Sequence, residues 1–382
     1  MKITEIECIP IEVPTPASRK DYVVMGFQPK ASKDLVVKVH TDEVIVGYGE
    51  ALFSPPYHGE TQESVVGAIK LLKPMLVGQD PFDVERLEAD MDDIIEGNTF
   101  AKATLDFALH DIMGKKLGKP LYALLGGKCR EEVEMSQVLG WGDPAANAKQ
   151  ARRYVDQGFS TIKMKVGMKP LETDVARVKA VRDEVGPSIS IRVDANQCWR
   201  HTEAIKALRK MQKYDLQYAE QPVPYWDLEG MARVRKAIEI PVEADESLFS
   251  YHDAIKLIER KAADIFNIKL VKGGFRAAKK IAAIAESAGL SCVVGAMVEL
   301  GVGTAAGIHF AASTRNIDYA CECCGAIFFE DIDIVKEQIV PVKGRVRVPE
   351  KPGLGVELDE KKLESMRVSL DAGYQIEFGK HR

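Results

Sequence analysis

The chain lacks any apolar stretch approaching the roughly 18 residues of a membrane helix, so no helical span is expected. It also lacks a long lysine or arginine run. With a net charge of −5 and a pI near 5.9 it offers no basic field to a phosphate backbone, which excludes nucleic acid as an expected partner. Residues 1 to 14 have no uninterrupted apolar core of the kind a signal peptide carries; Ile3, Ile6, Cys8, Ile9, Ile11 and Val13 are spaced among charged residues and Pro10, a largely alternating strand pattern. A soluble, cytoplasmic protein is therefore expected. Seven cysteines, odd in number and scattered, make no disulfide framework, and the Cys321, Cys323, Cys324 cluster has no second Cys or His pair to complete a zinc site. Buried, reduced thiols are expected there.

At 382 residues the chain is long enough for a barrel and a smaller partner. Residues 2–14, 34–41 and 45–52 read as strands of an antiparallel meander, with a turn at Thr41-Asp42-Glu43 and Pro10 at an edge or bulge. Helical patterns follow at Glu63 to Leu76, at Pro81 to Ile95 with Pro81 as first helical residue, and at Phe100 to Leu117 before Gly118. Strands first and helices afterwards mark an α+β unit, expected over 1–127. Its Ala17 to Ser32 and Phe53 to Gly59 stretches read as loops able to close over a site. From 128 to 330, beyond a Leu124 to Cys129 passage, eight short apolar runs alternate with helical patterns. They are 133–139, 161–166, 189–195, 217–220, 242–245, 265–270, 292–297 and 319–329. Eight such units are the rhythm of a parallel barrel whose active site lies at the carboxyl ends of its strands. Residues 331–382, broken by Pro and Gly, are expected to pack back on the first unit.

The charges sit at those strand ends. Lys163/Lys165, Asp194, Glu220, Asp245 and Lys269 follow one another at intervals of 24 to 31 residues. Two apart on one strand, Lys163 and Lys165 share a face, and mutual repulsion with partial burial would lower a lysine toward use as a base near neutral pH. Asp194, Glu220 and Asp245 end successive strands; three carboxylates meeting without a cation repel. Any one of them could instead cap the next helix. All three in step point to a hard divalent ion, Mg²⁺ before Zn²⁺, with Mn²⁺ as a substitute. Asn196, in phase with Asp194, is a candidate for holding a substrate oxygen. Glu246 adjoins Asp245, and strand parity does not say which faces inward. Lys269 should approach a central substrate from the side opposite Lys165. The role of Lys272 is left open, and Phe27, Tyr57 and Trp141 are either pocket lining or core.

Together Lys163-Met-Lys165, Asp194-Ala-Asn196, Glu220-Gln-Pro, Ala244-Asp245-Glu246-Ser247 and Lys269 resemble the enolase superfamily, in its muconate lactonizing enzyme subgroup. Each motif alone is weak, but their order and spacing, with a resemblance that extends beyond them over the whole chain, are highly specific. The resemblance implies an α/β fold, a modified TIM barrel (β/α)7β with an N-terminal α+β capping domain. It implies that Asp194, Glu220 and Asp245 ligate Mg²⁺, that Lys165 and Lys269 are the acid/base pair, and that Lys163 tunes Lys165. Stabilising the enolate formed α to a carboxylate with Mg²⁺ and a lysine or histidine base is chemistry for which that superfamily is itself the known example. Glu299 stands where mandelate-racemase-like members carry a histidine, and Glu322-Cys-Cys stands where dipeptide epimerases carry Asp-x-Asp. Glu299 and Glu322 are thus candidates for substrate binding, and the Glu322 stretch is most similar to that of cycloisomerases.

The sequence thus predicts an isomerase acting on a small-molecule carboxylate, most like a muconate-type cycloisomerase, and a homo-oligomer. The alternatives are a two-lysine racemase or epimerase of an amino-acid derivative or dipeptide, and a syn-dehydratase. A metal-free binding barrel would require lost ligands or bases, and none is lost.

Overall fold

The structure, a computed structural model, describes residues 1–19, 31–53 and 59–370. The expected covering loops fall mostly on residues 20–30 and 54–58, with Phe27 and Tyr57, and so lie outside the described residues.

Strands β1 (Ile3–Pro14), β2 (Ala31–Thr41) and β3 (Val46–Phe53) form an antiparallel sheet in that order, with Pro10 on the edge strand. Helix α1 (Gln62–Leu76) starts at a capping box between Thr61 and Ser64, which satisfies N–H groups otherwise left unpaired in the first turn. Helix α2 (Val84–Ile94) begins later than expected: Pro81 lies in a preceding turn, and Asp83 takes the cap position. Helix α3 (Thr99–Leu117) stops at Gly118, whose φ of 64° is the left-handed cap that glycine adopts without strain. It presses on β3 at Gly47 and Gly49, where any Cβ would strike the carbonyls of Ala108 and Thr104. Helix α4 (Leu121–Leu124) leads onward.

Beyond short β4 (Glu132–Glu134), seven parallel strands curl into one sheet: β5 (Gln137–Leu139), β6 (Thr161–Lys165), β7 (Ser190–Asp194), β8 (Leu216–Glu220), β9 (Val242–Ala244), β10 (Ile265–Ile268) and β11 (Ser291–Val294). Helices α5 (Pro144–Asp156), α6 (Leu171–Val185), α7 (His201–Met211), α8 (Leu228–Ala237), α9 (Tyr251–Glu259), α10 (Gly274–Ser287) and α11 (Gly301–Ala312) alternate with them. This is the (β/α)7β barrel, with one correction: the eighth run, 319–329, is no regular strand. Residues 316–322 close the ring through single bonds, Asp318 N to Cys292 O and Glu322 N to Val294 O on one side, and Ser136 N to Cys321 O on the other. Gly325 N then bonds Thr304 Oγ1 on α11, which turns the chain off the sheet, and Ala326–Phe329 coils into helix α12. The last two labelled elements, β12 (Arg345–Arg347) and α13 (Glu360–Met366), lie in the returning segment. There β12 pairs with β4, and Val368 N bonds Pro10 O on β1. Cys321, Cys323 and Cys324 are buried and free. No helix among the described residues is long and apolar enough to cross a membrane.

Buried side chains fasten these parts together. Glu50 on β3 accepts the amides of Leu300, Val302 and Gly303, and Asp333 accepts that of Gly301, so the N-terminus of α11 is capped from two other segments. His309 lies on α11. Its Nδ1 accepts from Tyr122 N at 3.2 Å, and its Nε2 lies 3.1 Å from Leu354 O, which fixes the neutral ring with its proton on Nε2. Burial lowers His309 from 6.5 to about 4. Because the folded value is depressed, the unfolded chain binds the extra proton first, and stability is lost as pH falls from 6.5 toward 4. In denaturant unfolding, the stability of wild type relative to His309→Gln should fall over this range by up to about 3 kcal/mol.

Candidate active site

The register aligns the charges. Lys165 pairs with Asp194 across β6 and β7, and Asp194 with Glu220 across β7 and β8, each at the last residue of its strand. Regular β9 ends at Ala244, so the alternation that left Asp245 and Glu246 undecided no longer applies where they stand. Both are buried. Asp245 meets Lys269 and Lys272, whereas Glu246 Oε1 accepts from Asn196 Nδ2.

Each carboxylate of the row is engaged by lysine. Lys165 Nζ lies 2.6 Å from Asp194 Oδ2 and 2.8 Å from Asn196 Oδ1. At the other end Lys269 Nζ is 2.7 Å from Asp245 Oδ2. Between them Lys163 contacts Glu220 at 2.5 Å, Glu322 at 2.7 Å and Asp194 at 3.1 Å. Lys163 does share the inward face with Lys165, but it is not a lowered lysine: burial would lower it, and Glu220, Glu322 and Asp194 outweigh burial and raise it. Lys269 is likewise raised, with burial opposed by Asp245 first. Asp194 is lowered, because Lys165 and Lys163 outweigh its burial, and its Oδ1 also accepts Asn196 N, the local turn contact that a strand-end aspartate can make.

The remaining expected residues are only partly at the centre. Asn196 spans Lys165 and Glu246, so both ends of its amide are used. Glu299 folds its carboxylate onto the amide of Met297 at 3.1 Å and is raised by burial. Glu322 is held by Lys163 on Oε2, while its Oε1 lies 3.4 Å from Ser136 Oγ and 3.6 Å from Arg192. Trp141 is half-buried and donates Nε1–H to Val166 O.

Sequence reasoning missed four residues here. Arg192, fully buried inside the barrel, donates to Tyr218 Oη and Ala320 O. Its position two before Asp194 on the same strand was the signal. Glu243, two before Asp245, is buried with both oxygens unpaired, and burial followed by Glu220 raises it well above the usual carboxylate range. Gln221, the Gln of Glu-Gln-Pro, accepts from Asp245 N and Ser247 N through Oε1 and so pins the turn that carries Asp245. Asn267 Nδ2 donates to Glu220 Oε1. Lys272, left open by the sequence, donates to Asp245 Oδ1 at 2.8 Å and to Asp245 O, and burial followed by Lys269 among its causes leaves it lowered.

Among the described residues no three His, Cys, Asp or Glu side chains are arranged as a metal cage, since the carboxylates turn onto ammonium groups. The donor set nevertheless fits a hard divalent cation. Asp194, Glu220 and Asp245 are buried oxygen donors on successive strands. Glu220 Oε2, although 2.5 Å from Lys163 Nζ, lies off the hydrogen-bond direction and keeps an unpaired lone pair. Burial, followed by Asp194, raises Glu220 to about 7, the repulsion that a cation relieves.

Residues 11–126 match the Mandelate racemase / muconate lactonizing enzyme N-terminal domain, and 146–362 the Enolase C-terminal domain-like family. N-succinyl-L-Arg/Lys racemase of Bacillus cereus is 40% identical over 97% of this chain and 99% of its own, and its crystal structure superposes with a TM-score of 0.91. The dipeptide epimerase of Enterococcus faecalis, solved with Mg and the dipeptide L-Leu-L-Tyr, gives 0.88 at 34% identity, covering 93% of this chain and 99% of that one. Muconate lactonizing enzyme of Pseudomonas fluorescens, solved with muconolactone, gives 0.92 at 32% identity, covering 96% and 99%. With both family domains matched in order along one chain, and a relative of this identity over nearly its full length, the protein is an isomerase of the mandelate racemase/muconate lactonizing enzyme family of the enolase superfamily.

Proposed function

We propose that the protein racemises or epimerises the α-carbon of an N-acylated amino acid, with one of Lys165 and Lys269 removing the α-proton as a free amine and the other, as an ammonium, delivering a proton to the opposite face. One observation carries this reading: the two ammonium groups stand at opposite ends of the buried carboxylate row, one on Asp194 and the other on Asp245. A flat carbanion lying over that row has one proton carrier on each face. Asp194, Glu220 and Asp245 would hold Mg²⁺, or Mn²⁺ in its place, beside the substrate carboxylate. When bound, the cation supplies positive charge that offsets the negative charge building on that carboxylate as the α-proton leaves. Asn196 orients Lys165 through its amide oxygen, and Lys163 stays an ammonium that steadies Asp194 and Glu220.

Glu322 supports the acylated nitrogen. A substrate α-ammonium needs an unengaged carboxylate, and Glu322 is already shared by Lys163, Ser136 and Arg192. Cys323 and Cys324, the next two side chains, are buried thiols. A neutral acyl amide makes no such demand, and the Bacillus cereus relative is named for N-succinyl substrates. This reading replaces the cycloisomerase preference of the sequence. The close likeness to muconate lactonizing enzyme keeps lactonisation of an unsaturated diacid as the second reading.

Polarimetry with Mg²⁺ tests the assignment on a panel of single enantiomers: N-succinyl and N-acetyl amino acids, N-succinylarginine and N-succinyllysine among them, beside free amino acids and dipeptides. Rotation should decay for N-acyl compounds, with kcat/KM at least about a hundredfold above the free amines, because a buried unpaired ammonium is costly. Equal turnover of free amino acids, which carry an α-ammonium, would remove the neutral-nitrogen argument, and turnover confined to cis,cis-muconate would establish the second reading.

A further inference from the structure

The two lysines are fastened differently: the turn after Lys269 is tied to the barrel, through Lys272 Nζ to Asp245 O and Leu248 O, and to the N-terminal unit as well. The segment after Lys165 is secured within the barrel: Asp174 Oδ2 accepts Gly167 N at 2.7 Å and Met168 N at 2.8 Å, and Arg177 donates to Lys165 O at 2.8 Å. After Lys269 the chain makes a single turn, Leu270–Lys272, passes Gly273 and Gly274, and enters α10. Its first fixed amide there is that of Phe275, which donates at 2.6 Å to Oδ2 of Asp106, a buried residue on α3 of the N-terminal unit. The approach is so close that a Cβ on Gly274, itself at a φ of +73°, would overlap that oxygen. The other carboxylate oxygen, Oδ1, lies 2.8 Å from His110 Nδ1, one turn along α3. The ring of Phe275 packs on Phe107 and His110, with centroids at 5.2 and 5.0 Å. The next residue, Arg276, reaches Glu88 of α2 at 3.2 Å.

We propose that Asp106 is a positioning residue for Lys269, through which the N-terminal unit sets one of the two proton carriers while leaving the other to the barrel. This rests on the two-lysine reading above. Asp106 touches neither lysine; it holds the start of α10, and the short turn between has little slack with which to absorb a shift. A carrier displaced by about 1 Å loses on the order of a hundredfold in proton transfer, so the effect should fall on one face of the substrate.

The test uses Asp106→Ala and Gly274→Ala in the full chain with Mg²⁺, following α-proton exchange of each N-succinylarginine enantiomer in D₂O by proton NMR. The enantiomer whose exchange survives in Lys165→Ala is the one served by Lys269. Its exchange should fall at least about tenfold in both variants, against at most about twofold for the other. Asp106→Asn, which keeps an oxygen for Phe275, should recover most of it. Equal losses on both faces would mean a merely structural role, and no loss would overturn the proposal outright. Amide hydrogen exchange by mass spectrometry decides the same point without substrate. Residues 270–276 should exchange at least about tenfold faster in Asp106→Ala than in wild type, with 161–168 unchanged. Unchanged 270–276 amides would overturn the positioning role, whereas absent turnover in the wild type would count against the functional reading alone. If Asp106→Ala does not fold, Gly274→Ala carries both measurements.

Discussion

Lys269→Ala is expected to stop interconversion of enantiomers while Lys165 still exchanges the α-proton of one of them, and Lys165→Ala is expected to do the reverse. A positioned acid or base contributes roughly a hundred- to ten-thousandfold. Racemisation needs both in series, so either variant should lose at least about a thousandfold of it while half of the exchange reaction persists. The asymmetry follows from where the side chains stand. Lys165 ends β6 against Asp194, and Lys269 follows β10 against Asp245. Proton NMR of each enantiomer in D₂O reads the outcome. In a cycloisomerase one lysine handles the proton alone, so only one variant would lose exchange.

The second large effect concerns the cation. Asp194→Asn, Glu220→Gln and Asp245→Asn should each weaken Mg²⁺ binding by more than about a hundredfold in calorimetry, because losing one of three carboxylates leaves too little charge to offset the ion's dehydration. Glu246→Gln is the informative companion. Glu246 is buried beside the row, pushed up to about 8 by burial and then by Asp245, and tied to Asn196 rather than to Lys269. Its variant should keep Mg²⁺ affinity within about tenfold, as an outer partner does. Undiminished affinity in any of the three would remove that residue from the proposed set.

How much of this could be read in the sequence differs from residue to residue. Asp194 and Glu220 were legible because each closes a short apolar run, and the strands stop where their periodicity stops. Asp245 was legible as a residue but not as a direction, since β9 ends one position earlier and parity lapses. Period two puts Lys163 beside Lys165 in the sequence, but only the closed barrel brings Glu220 and Glu322 against it from other strands and holds it as an ammonium. Pro81 was a plausible helix start displaced by Asp83. The run at 319–329 had strand composition, yet the hydroxyl of Thr304, a contact from a different element, turns it away. Arg192 and Glu243 showed only as charges two positions before Asp194 and Asp245, and Asp106 gave no sign at all. A buried charge looks like a surface charge until its partner, for Asp106 the amide of Phe275 169 residues away, is in place.

The central claim is two-base proton transfer, and early-time deuterium labelling tests it most directly. A single enantiomer of N-succinylarginine is incubated in D₂O with wild-type enzyme and Mg²⁺, and the opposite enantiomer is isolated after the first few per cent of conversion. If Lys165 and Lys269 serve opposite faces, that product carries deuterium at the α-carbon from the first turnover, because its new proton comes from the far lysine, which has equilibrated with solvent. Product that retains the original α-proton would mean one base working both faces, and would contradict the account.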